Sequence, residues 1–582
     1  MEPVDVKKLR AALKASYKAL EPFRKHRLLL VKEFVGAHYS DDGSKRSVPV
    51  NHLSQAIQIH ARNLYAKNPK ATIDTPVPEL QPMAKTWEVA VDKLLDTIDL
   101  ETQGQYYVNA GLMAPLAIMN VGLNQVGEID VDGQMFPIGR PFAKVVDLDD
   151  WVHDTSAKTW DECAFMGKRI RLPLDWAKSC PLFVPEVAVN LTPTERYRTA
   201  QDGGSERVST IGTDQNMCVD EFKEYTEVWE LYLPFENKVI TLSCDESQDV
   251  ALREVEYDGY KGGPYHKLNY IDVPNNVCGV PPAANWVDLH DAMNSTMRKL
   301  IRQVKREKHV VLFKDAEDAK RYTNSSDGDG ILWQSGMKPE EVKTGGPDMA
   351  SAQFSQMLQA EASRNAGNLD SMGGLGAQTD TLGQDQLIAA STSRQLQEMQ
   401  ARTAKALREI VRHLAWLQWV DNMQDITVSQ EVLPGFQVQE TITPEQRAEA
   451  DFMLFNVDIV PYSMEEKTPA QKLQIAQGLS STALPMLAPM LQMQGKAVDA
   501  DQLWNKLCDM AGVPELKDIV IDAQTPPAEP PATAQQPPAV KAPVTTRNYT
   551  RQNVGGNTRE ARGAQMKNTM SMMAKQAEPA NV

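Results

Sequence analysis

The chain has 582 residues and a net charge of −16, so it is several times longer than a usual domain and should fold as more than one structural region. Its apolar stretches fall short of the about 20 residues that a membrane helix requires, and its first residues lack the apolar core of a secretory signal. Scattered cysteines without a CxxC pair, and histidines without a zinc-type spacing, predict free thiols and neither a metal nor a cofactor. These features argue against a membrane protein and predict synthesis in the cytoplasm.

The charge is unevenly distributed along the chain. Residues 541–582 hold seven basic and two acidic side chains, which leaves a charge of about −21 on residues 1–540. Affinity for DNA comes largely from clustered Lys and Arg that release counterions from phosphates. An acidic body therefore argues against tight DNA binding, although it is compatible with a duplex that slides past.

The first half of the sequence predicts both helices and strands. Apolar residues at helical spacing predict one amphipathic helix from Val4 to Val35, and Asn51 is a favourable N-cap for a second helix ending near Lys67. Beyond Gly127 the sequence becomes rich in β-branched and aromatic residues, which favour strands. Further helices are predicted at 80–99 and 101–120, and strands at 142–151, 164–172, 225–233 and 238–242.

The second half predicts long helices with a small unit between two of them. A basic helix over 286–308 is followed by a strand–helix–strand unit and then by a second helix over 351–365. Five glycines within residues 366–383 disfavour regular structure there. The unit is predicted to contain a strand at 309–313, a helix at 316–322 and a strand at 330–334.

The longest predicted helix, residues 384–424, contains neither Gly nor Pro. A β pair at 426–432 and 452–460 should follow it, with the start of a polar helix at Thr443 between the two strands. Helices are then predicted at 465–491 and 499–511. The Pro-rich run after Asp522 cannot pack a core and should be disordered.

Three segments give the sequence a resemblance to a known family. They are VPPAANWVDLHDAMNSTMRKLIRQVKREK within residues 270–308, NLDSMGGLGAQTD within residues 368–414, and FAKVVDLDDWVHD within residues 142–170. In their order along the chain and in their local sequence they resemble the first stem helix, the tunnel loop with its long helix, and the wing strands of the portal, or head-to-tail connector, proteins of tailed bacteriophages. The resemblance covers about residues 1–520 and includes no catalytic signature.

The resemblance implies a helix-rich α+β portal-type subunit that assembles into a ring of about twelve copies around a central channel. The implied regions are a wing (1–285), a first stem helix (286–308), a clip (309–349), a second stem helix (350–365), a tunnel loop (366–383), a long helix returning through the wing (384–460), a helical crown (461–522) and a disordered tail (523–582).

The resemblance also implies function, partners and location. The chain would be a non-enzymatic virion protein, assembled in the host cytoplasm, that passes double-stranded DNA through the capsid vertex during packaging and ejection. Its partners would be further copies of itself, the terminase, adaptor or tail proteins and the major capsid protein. No membrane would be involved.

Three groups of residues are candidates for these roles. The tunnel loop would contain Gly367, Asp370, Gly373, Gly374, Gly376, Asp380 and Gly383. A basic helix face, directed to DNA or to a neighbouring copy, would contain Arg298, Arg302, Lys305 and Lys308. The docking surface of the clip would contain Ala316, Lys320, Tyr322 and Trp333.

Other functions have weaker sequence support. The carboxylates of Asp147, Asp149, Asp150 and Asp154 are of the type that binds two metals in nucleases, but acidic turns at strand ends are common. The glycine-rich segment lacks the Walker lysine motif, which argues against a terminase-like ATPase. A capsid scaffolding protein, or another non-enzymatic head protein, remains the main alternative because it too would be acidic.

Overall fold

A computed structural model gives the structure of the chain, and every residue that it describes lies in one compact unit spanning residues 1–468. The described residues are 4–36, 50–131, 134–194, 223–245, 250–332, 336, 338–367, 369–372, 382–421, 425–433, 436–460 and 464. The predicted crown helices and the Pro-rich tail lie outside them.

The described chain is a mixed α+β structure, as predicted. Its helices are α1 (Val6–Ala19), α2 (Glu21–Val35), α3 (His52–Leu64), α4 (Gln81–Thr97), α5 (Leu100–Met113), α6 (Leu174–Ser179), α7 (Pro185–Ala188), α8 (Pro282–Arg306), α9 (Ala316–Asn324), α10 (Met349–Asn365), α11 (Leu369–Met372), α12 (Leu382–Val420) and α13 (Pro444–Glu449).

The strands form small antiparallel sheets. They are β1 (Ala71–Asp74), β2 (Ala117–Val131), β3 (Gln134–Val146), β4 (Trp151–His153), β5 (Met166–Pro173), β6 (Tyr225–Leu233), β7 (Lys238–Ser243), β8 (Arg253–Glu256), β9 (Tyr265–Leu268), β10 (Lys308–Leu312), β11 (Glu340–Thr344), β12 (Ile426–Leu433), β13 (Phe436–Ile442) and β14 (Asn456–Ile459).

Two predicted helices at the N-terminal end require correction. The single helix expected from residue 4 to 35 is two helices that meet at Leu20, because Pro22 in the first turn of α2 has no N–H to donate. The helix expected at 101–120 ends at Met113, and strand β2 begins at Ala117. Pro115 separates them, since the residue before a proline is driven out of the helical region.

The five-stranded sheet has the order β4-β5-β6-β7-β8, with every neighbouring pair antiparallel. It confirms the strands predicted near 164–172, 225–233 and 238–242. Helix α1 covers this sheet through a buried cluster that joins Leu9 to Trp229 and Leu231. The sheet and the N-terminal helix therefore form one packed layer.

A second sheet has the order β3-β2-β9. Strand β9 pairs only with Ala117–Asn120 of β2, whereas β2 and β3 remain paired with each other as far as Val131 and Gln134. Within the described strands, the outer part of this hairpin is thus a two-stranded ribbon.

Strand β1 pairs with β14, so Ala71 lies opposite Ile459 although the two are far apart in sequence. Its other side is covered by α4, where the carboxylate of Asp92 accepts the N–H of Ala71 at 2.8 Å and that of Glu88 accepts the N–H of Ile73 at 3.0 Å. The carboxylates satisfy backbone donors that an edge strand otherwise leaves open.

The C-terminal β pairing was predicted wrongly. Strand β12 pairs with β13, and the 452–460 segment supplies β14, which pairs with β1. The helix start at Thr443 is confirmed. Its hydroxyl accepts from the N–H of Gln446, whose side chain in turn accepts from the N–H of Thr443.

Helix α12 runs through the largest buried core. Leu407, Ile410, Val411 and Leu414 are fully buried at helical spacing, and Trp419 near its end packs on Trp87 of α4 with ring centroids 4.4 Å apart. This core joins α3, α4, α5 and α12, and it also receives the beginning of α8 through Trp286.

Candidate functional site

Helices α8 and α10 form an antiparallel pair. The side chain of Asn365, at the end of α10, donates to the carbonyl of Asn285 near the start of α8 at 3.2 Å. At the opposite ends, Lys299 donates to Ser351 at 2.9 Å and the N–H of Asp348 donates to Gln303 at 3.2 Å. These polar contacts, at both ends of the pair, fix how the two helices are aligned along their length.

The ends of the pair follow from local sequence. Asp348 caps α10, because its carboxylate accepts from the N–H of Ala350 and from the hydroxyl of Ser351. The hydrogen bonds from Ser351 and Ala350 lower the pKa of Asp348. Helix α8 ends in Lys305 and Arg306, which favourably oppose the partial negative charge of its C-terminus.

The outer part of the pair has little core of its own. Its buried apolar residues are Met293, Leu300 and Leu358, and the larger apolar clusters of the described chain contain no residue between Asp288 and Asn365. Each helix has two exposed apolar side chains that lie three residues apart, and this spacing places the two on the same face of their helix. They are Ile301 and Val304 on α8, exposed by 38% and 52%, and Phe354 and Met357 on α10, exposed by 48% and 62%. We call these four residues the apolar stripe.

The predicted basic face is only partly formed. Arg298 and Arg302 lie one turn apart on α8, where the guanidinium of Arg298 is 3.5 Å from Asp291 and that of Arg302 donates to the carbonyl of Arg298. Lys305 is exposed in the last turn. Lys308 does not belong to this face, because the helix ends at Arg306 and Lys308 is the first residue of β10.

The far end of the pair bears a small unit built from β10, α9 and β11. Strands β10 and β11 are antiparallel, with Val310 opposite Val342. The returning strand was expected at 330–334 but lies at 340–344, because those later residues supply the ladder. The unit is mostly exposed.

The docking candidates of this unit lie mainly on α9. Ala316 is its first residue, Lys320 is exposed, and Tyr322 is 43% exposed with its ring 5.2 Å from that of Phe313. Trp333 lies outside the described residues. Three of the four predicted residues therefore fall on or beside one short helix.

The glycine-rich segment begins beside a residue that is held by a buried hydrogen bond. Gly367 has a φ of +82°, a conformation that favours glycine, and it ends α10. The preceding carbonyl, of Ala366, is 2.9 Å from Nε2 of His60, and the His60 ring stacks on Trp286 of α8 at 4.9 Å. Burial lowers the pKa of His60, so the ring is neutral and donates this hydrogen bond.

The interior of the segment departs in part from the prediction of no regular structure. Asp370 lies in the single turn of α11, and Gly383 lies in the first turn of α12. Gly373, Gly374, Gly376 and Asp380 are outside the described residues. The sequence did not single out His60, although a histidine on the apolar face of a predicted helix was a visible signal.

The acidic cluster does not form a metal site. Arg27 binds the carboxylate of Asp147 with both terminal nitrogens and lies 3.8 Å from Asp149, while Arg169 binds Asp150 at 2.7 Å. The remaining candidate, Asp154, accepts from Ser156 and Ala164. The carboxylates are used in ion pairs and turns, and no group of metal-binding side chains occurs among the described residues.

A histidine pair joins β9 to α12. Nε2 of His266 is 3.0 Å from Nδ1 of His413, and the ring of Tyr260 stacks on His413 at 4.9 Å. Burial lowers the pKa of His266 to about 4, and burial with the neighbouring histidine lowers that of His413 to about 2. Both rings are therefore neutral near neutral pH, and one donates to the other.

The remaining predictions concern thiols and membranes. Cys163, Cys180, Cys244 and Cys278 are free thiols, while the other two cysteines lie outside the described residues. No described helix is long and apolar enough to cross a membrane. No family model matches the sequence, and no curated protein sequence matches it either.

Proposed function

We propose that the chain is a portal subunit of a tailed bacteriophage, which forms a ring around a channel for double-stranded DNA and performs no catalysis itself. In this proposal α8 and α10 are the stem, the β10–α9–β11 unit is the clip, and the segment after Gly367 is the tunnel loop. The clip would dock the terminase during packaging and adaptor or tail proteins afterwards.

The observation that carries the proposal is the apolar stripe on the α8–α10 pair. Two antiparallel helices that leave Val304, Phe354 and Met357 about half exposed bury too little apolar surface to stand alone in water. Further copies of the same pair, packed side by side around an axis, would cover the stripe. A closed heterologous ring repeats that contact at every subunit.

The charges of the pair and its flanks suit a passage for DNA. Arg298 and Arg302 place positive charge on α8, while the protein body is strongly acidic. A lumen with few cations binds the duplex weakly, because few counterions are released. A sliding duplex requires such weak contacts. The glycines after α10 would let the loop change shape as DNA passes.

Negative-stain microscopy of the purified full chain tests this proposal. We expect rings with a central hole, both for the full chain and for a variant that ends at residue 522, because the Pro-rich tail cannot pack a core. Filaments or closed shells would instead support the scaffolding alternative. Monomers at all concentrations, with or without DNA, would contradict the portal proposal.

A further inference from the structure

One buried histidine contacts both helices of the α8–α10 pair. His60 lies on α3 and is 1% exposed. Its Nε2 is 2.9 Å from the carbonyl oxygen of Ala366, the C-cap of α10, and its ring stacks on Trp286 of α8 with the ring planes 20° apart. A single side chain of α3 therefore holds the end of α10 and the beginning of α8.

The start of the glycine-rich segment is buried as well. Ala366 is 2% exposed and Leu369 is 9% exposed, and both belong to the core through which α12 runs. Between them, Gly367 lies so close to α12 that a Cβ atom there would be 3.1 Å from Oε1 of Gln395. We call Ala366, Gly367 and Leu369 the root of the segment. The root is a packed part of the structure and not a free linker.

The hydrogen bond from His60 satisfies a group that α10 leaves open. Carbonyls at the end of a helix have no partner within the helix. Ala366 carries such a carbonyl and lies in the core, where an acceptor without a donor is costly. Loss of the His60 donor would therefore weaken the attachment of the root.

The two ring nitrogens of His60 have different surroundings. Nε2 donates to Ala366, whereas Nδ1 is buried and has no hydrogen-bond partner in the part of the chain that the structure describes. In the neutral ring Nδ1 carries only a lone pair. A second proton would place at Nδ1 an N–H without an acceptor and a positive charge inside the core. The surroundings of His60 thus suit only the neutral ring.

Charged groups do not offset this cost. Burial lowers the pKa of His60 and outweighs the hydrogen bond to Ala366, and no described charged side chain contributes. A second buried histidine, His290 on α8, lies 3.6 Å from Glu33 of α2. The side chain of Asp370 lies outside the described residues. The helices around His60 also carry exposed charged residues, which are Arg62 on α3, Glu101 on α5, Asp288 on α8, Glu361 and Arg364 on α10, and Arg394 and Glu398 on α12.

We propose that His60 is a pH-sensitive latch: its neutral ring holds the root against α3 and α8, and its protonated ring leaves the core and releases the root. The latch is fully closed above the ordinary pKa of 6.5 and opens as the pH falls through the lowered pKa of the folded chain. The latch would regulate the proposed tunnel loop, and in this respect it rests on the proposed function. Release would let the loop shift at its α10 end while the rest of the subunit stays folded.

Hydrogen exchange of the purified full chain, followed by mass spectrometry, tests the latch. After correction for the intrinsic exchange rate, we expect the peptide that spans Gly367 and Leu369 to lose protection by roughly tenfold between pH 7 and pH 5. The reason is that each pH unit below 6.5 shifts a proton-linked opening by up to about tenfold. The amides of α12 around Leu407, which is fully buried, should keep their protection over the same range.

Two substitutions separate the hydrogen bond from the titration. His60→Gln keeps an amide donor that does not titrate, so the root should be protected to within a few fold of the parent at pH 7 and should not change at pH 5. His60→Phe keeps a ring beside Trp286 without a donor, so the root should be roughly tenfold less protected at both pH values. His26→Gln, at an exposed histidine of α2, and Asp370→Asn are the controls and should behave like the parent.

Several results would overturn the latch. They are equal protection of the root at pH 7 and pH 5 in the parent, the parent's pH dependence in His60→Gln, its loss in Asp370→Asn, or a loss of protection that α12 shares. If His60→Phe does not fold, the comparison of the parent with His60→Gln decides the question. Exchange is measured whether or not the chain forms rings, so an absence of rings would remove the portal proposal and leave the latch standing.

Discussion

The apolar stripe gives the most direct test of assembly. We consider the variant with Val304, Phe354 and Met357 each replaced by Ser. Full burial of such a side chain is worth about 1.5–3 kcal/mol, and the three are 52%, 48% and 62% exposed in the single chain. Covering the exposed half of each side chain therefore contributes about 1 kcal/mol, or about 3 kcal/mol for the three together.

A loss of about 3 kcal/mol weakens each contact between neighbours by roughly 100-fold. The ring fraction should accordingly collapse at micromolar concentration, as measured by mass photometry and negative-stain microscopy. The buried half of each side chain is lost as well, so thermal melting of the isolated subunit is measured alongside to confirm that the variant is folded at the assay temperature. Met453→Ser is the matched control, because Met453 is 73% exposed and lies far along the chain from the helix pair. Rings from the triple variant at the parent concentration would refute the placement of the stripe at the contact.

Three further predictions concern the clip, the tunnel loop and the buried histidine pair. Replacing residues 314–335 by a short Gly/Ser linker should leave rings intact and abolish attachment of tails, measured as infectious particles. Charge reversal in the loop, Asp370→Lys with Asp380→Lys, should slow DNA packaging, measured as filled heads, without lowering the melting temperature. Burial lowers the pKa values of His266 and His413 to about 4 and about 2. Because the folded state favours the neutral rings, the stability that depends on them is fully present above their ordinary pKa of 6.5 and is lost as pH falls through about 4. For His266 we expect the free energy of unfolding to fall by about 3 kcal/mol over this range, measured by urea unfolding.

For each of these predictions there is a result that would contradict it. Infectious particles from the linker variant would remove the docking role of the α9 unit. Normal filling of heads by the doubly reversed variant would make the loop a passive connector. An equal decline in stability between pH 6.5 and 4 in the parent and in a His266→Gln, His413→Gln variant would show that the histidine pair is not responsible.

Local signals in the sequence predicted several elements correctly. Asn51 caps α3 by accepting from the N–H of Ser54 at 2.9 Å, and Thr443 begins α13 with a reciprocal capping box. Strand β6 has the predicted bounds because β-branched and aromatic residues recur along its whole length. In each case the cause of the structure lies within a few residues of its effect.

Errors arose where distant parts of the chain decide the structure. Ala117–Asn120 forms a strand because β3 and β9 supply its hydrogen bonds, although its own residues fit a helical pattern. Val304, near the end of α8, is half exposed in the single chain, and its environment depends on what packs against the helix rather than on its neighbours in sequence. The sequence predicted the two helices of the candidate site, but it did not reveal which of their apolar side chains the single chain leaves exposed.

The pairing of β1 with β14 has a consequence for synthesis. The partner of Ala71–Asp74 is made nearly 400 residues after it, which at about 5–20 residues per second is a delay of roughly 20–80 s on the ribosome. During that interval Glu88 and Asp92 on α4, which is made directly after β1, can already occupy one side of the strand. Only the edge of β1 that later pairs with β14 keeps unpaired backbone groups. A nascent chain therefore exposes one short strand edge, rather than two, to incorrect pairing with another strand.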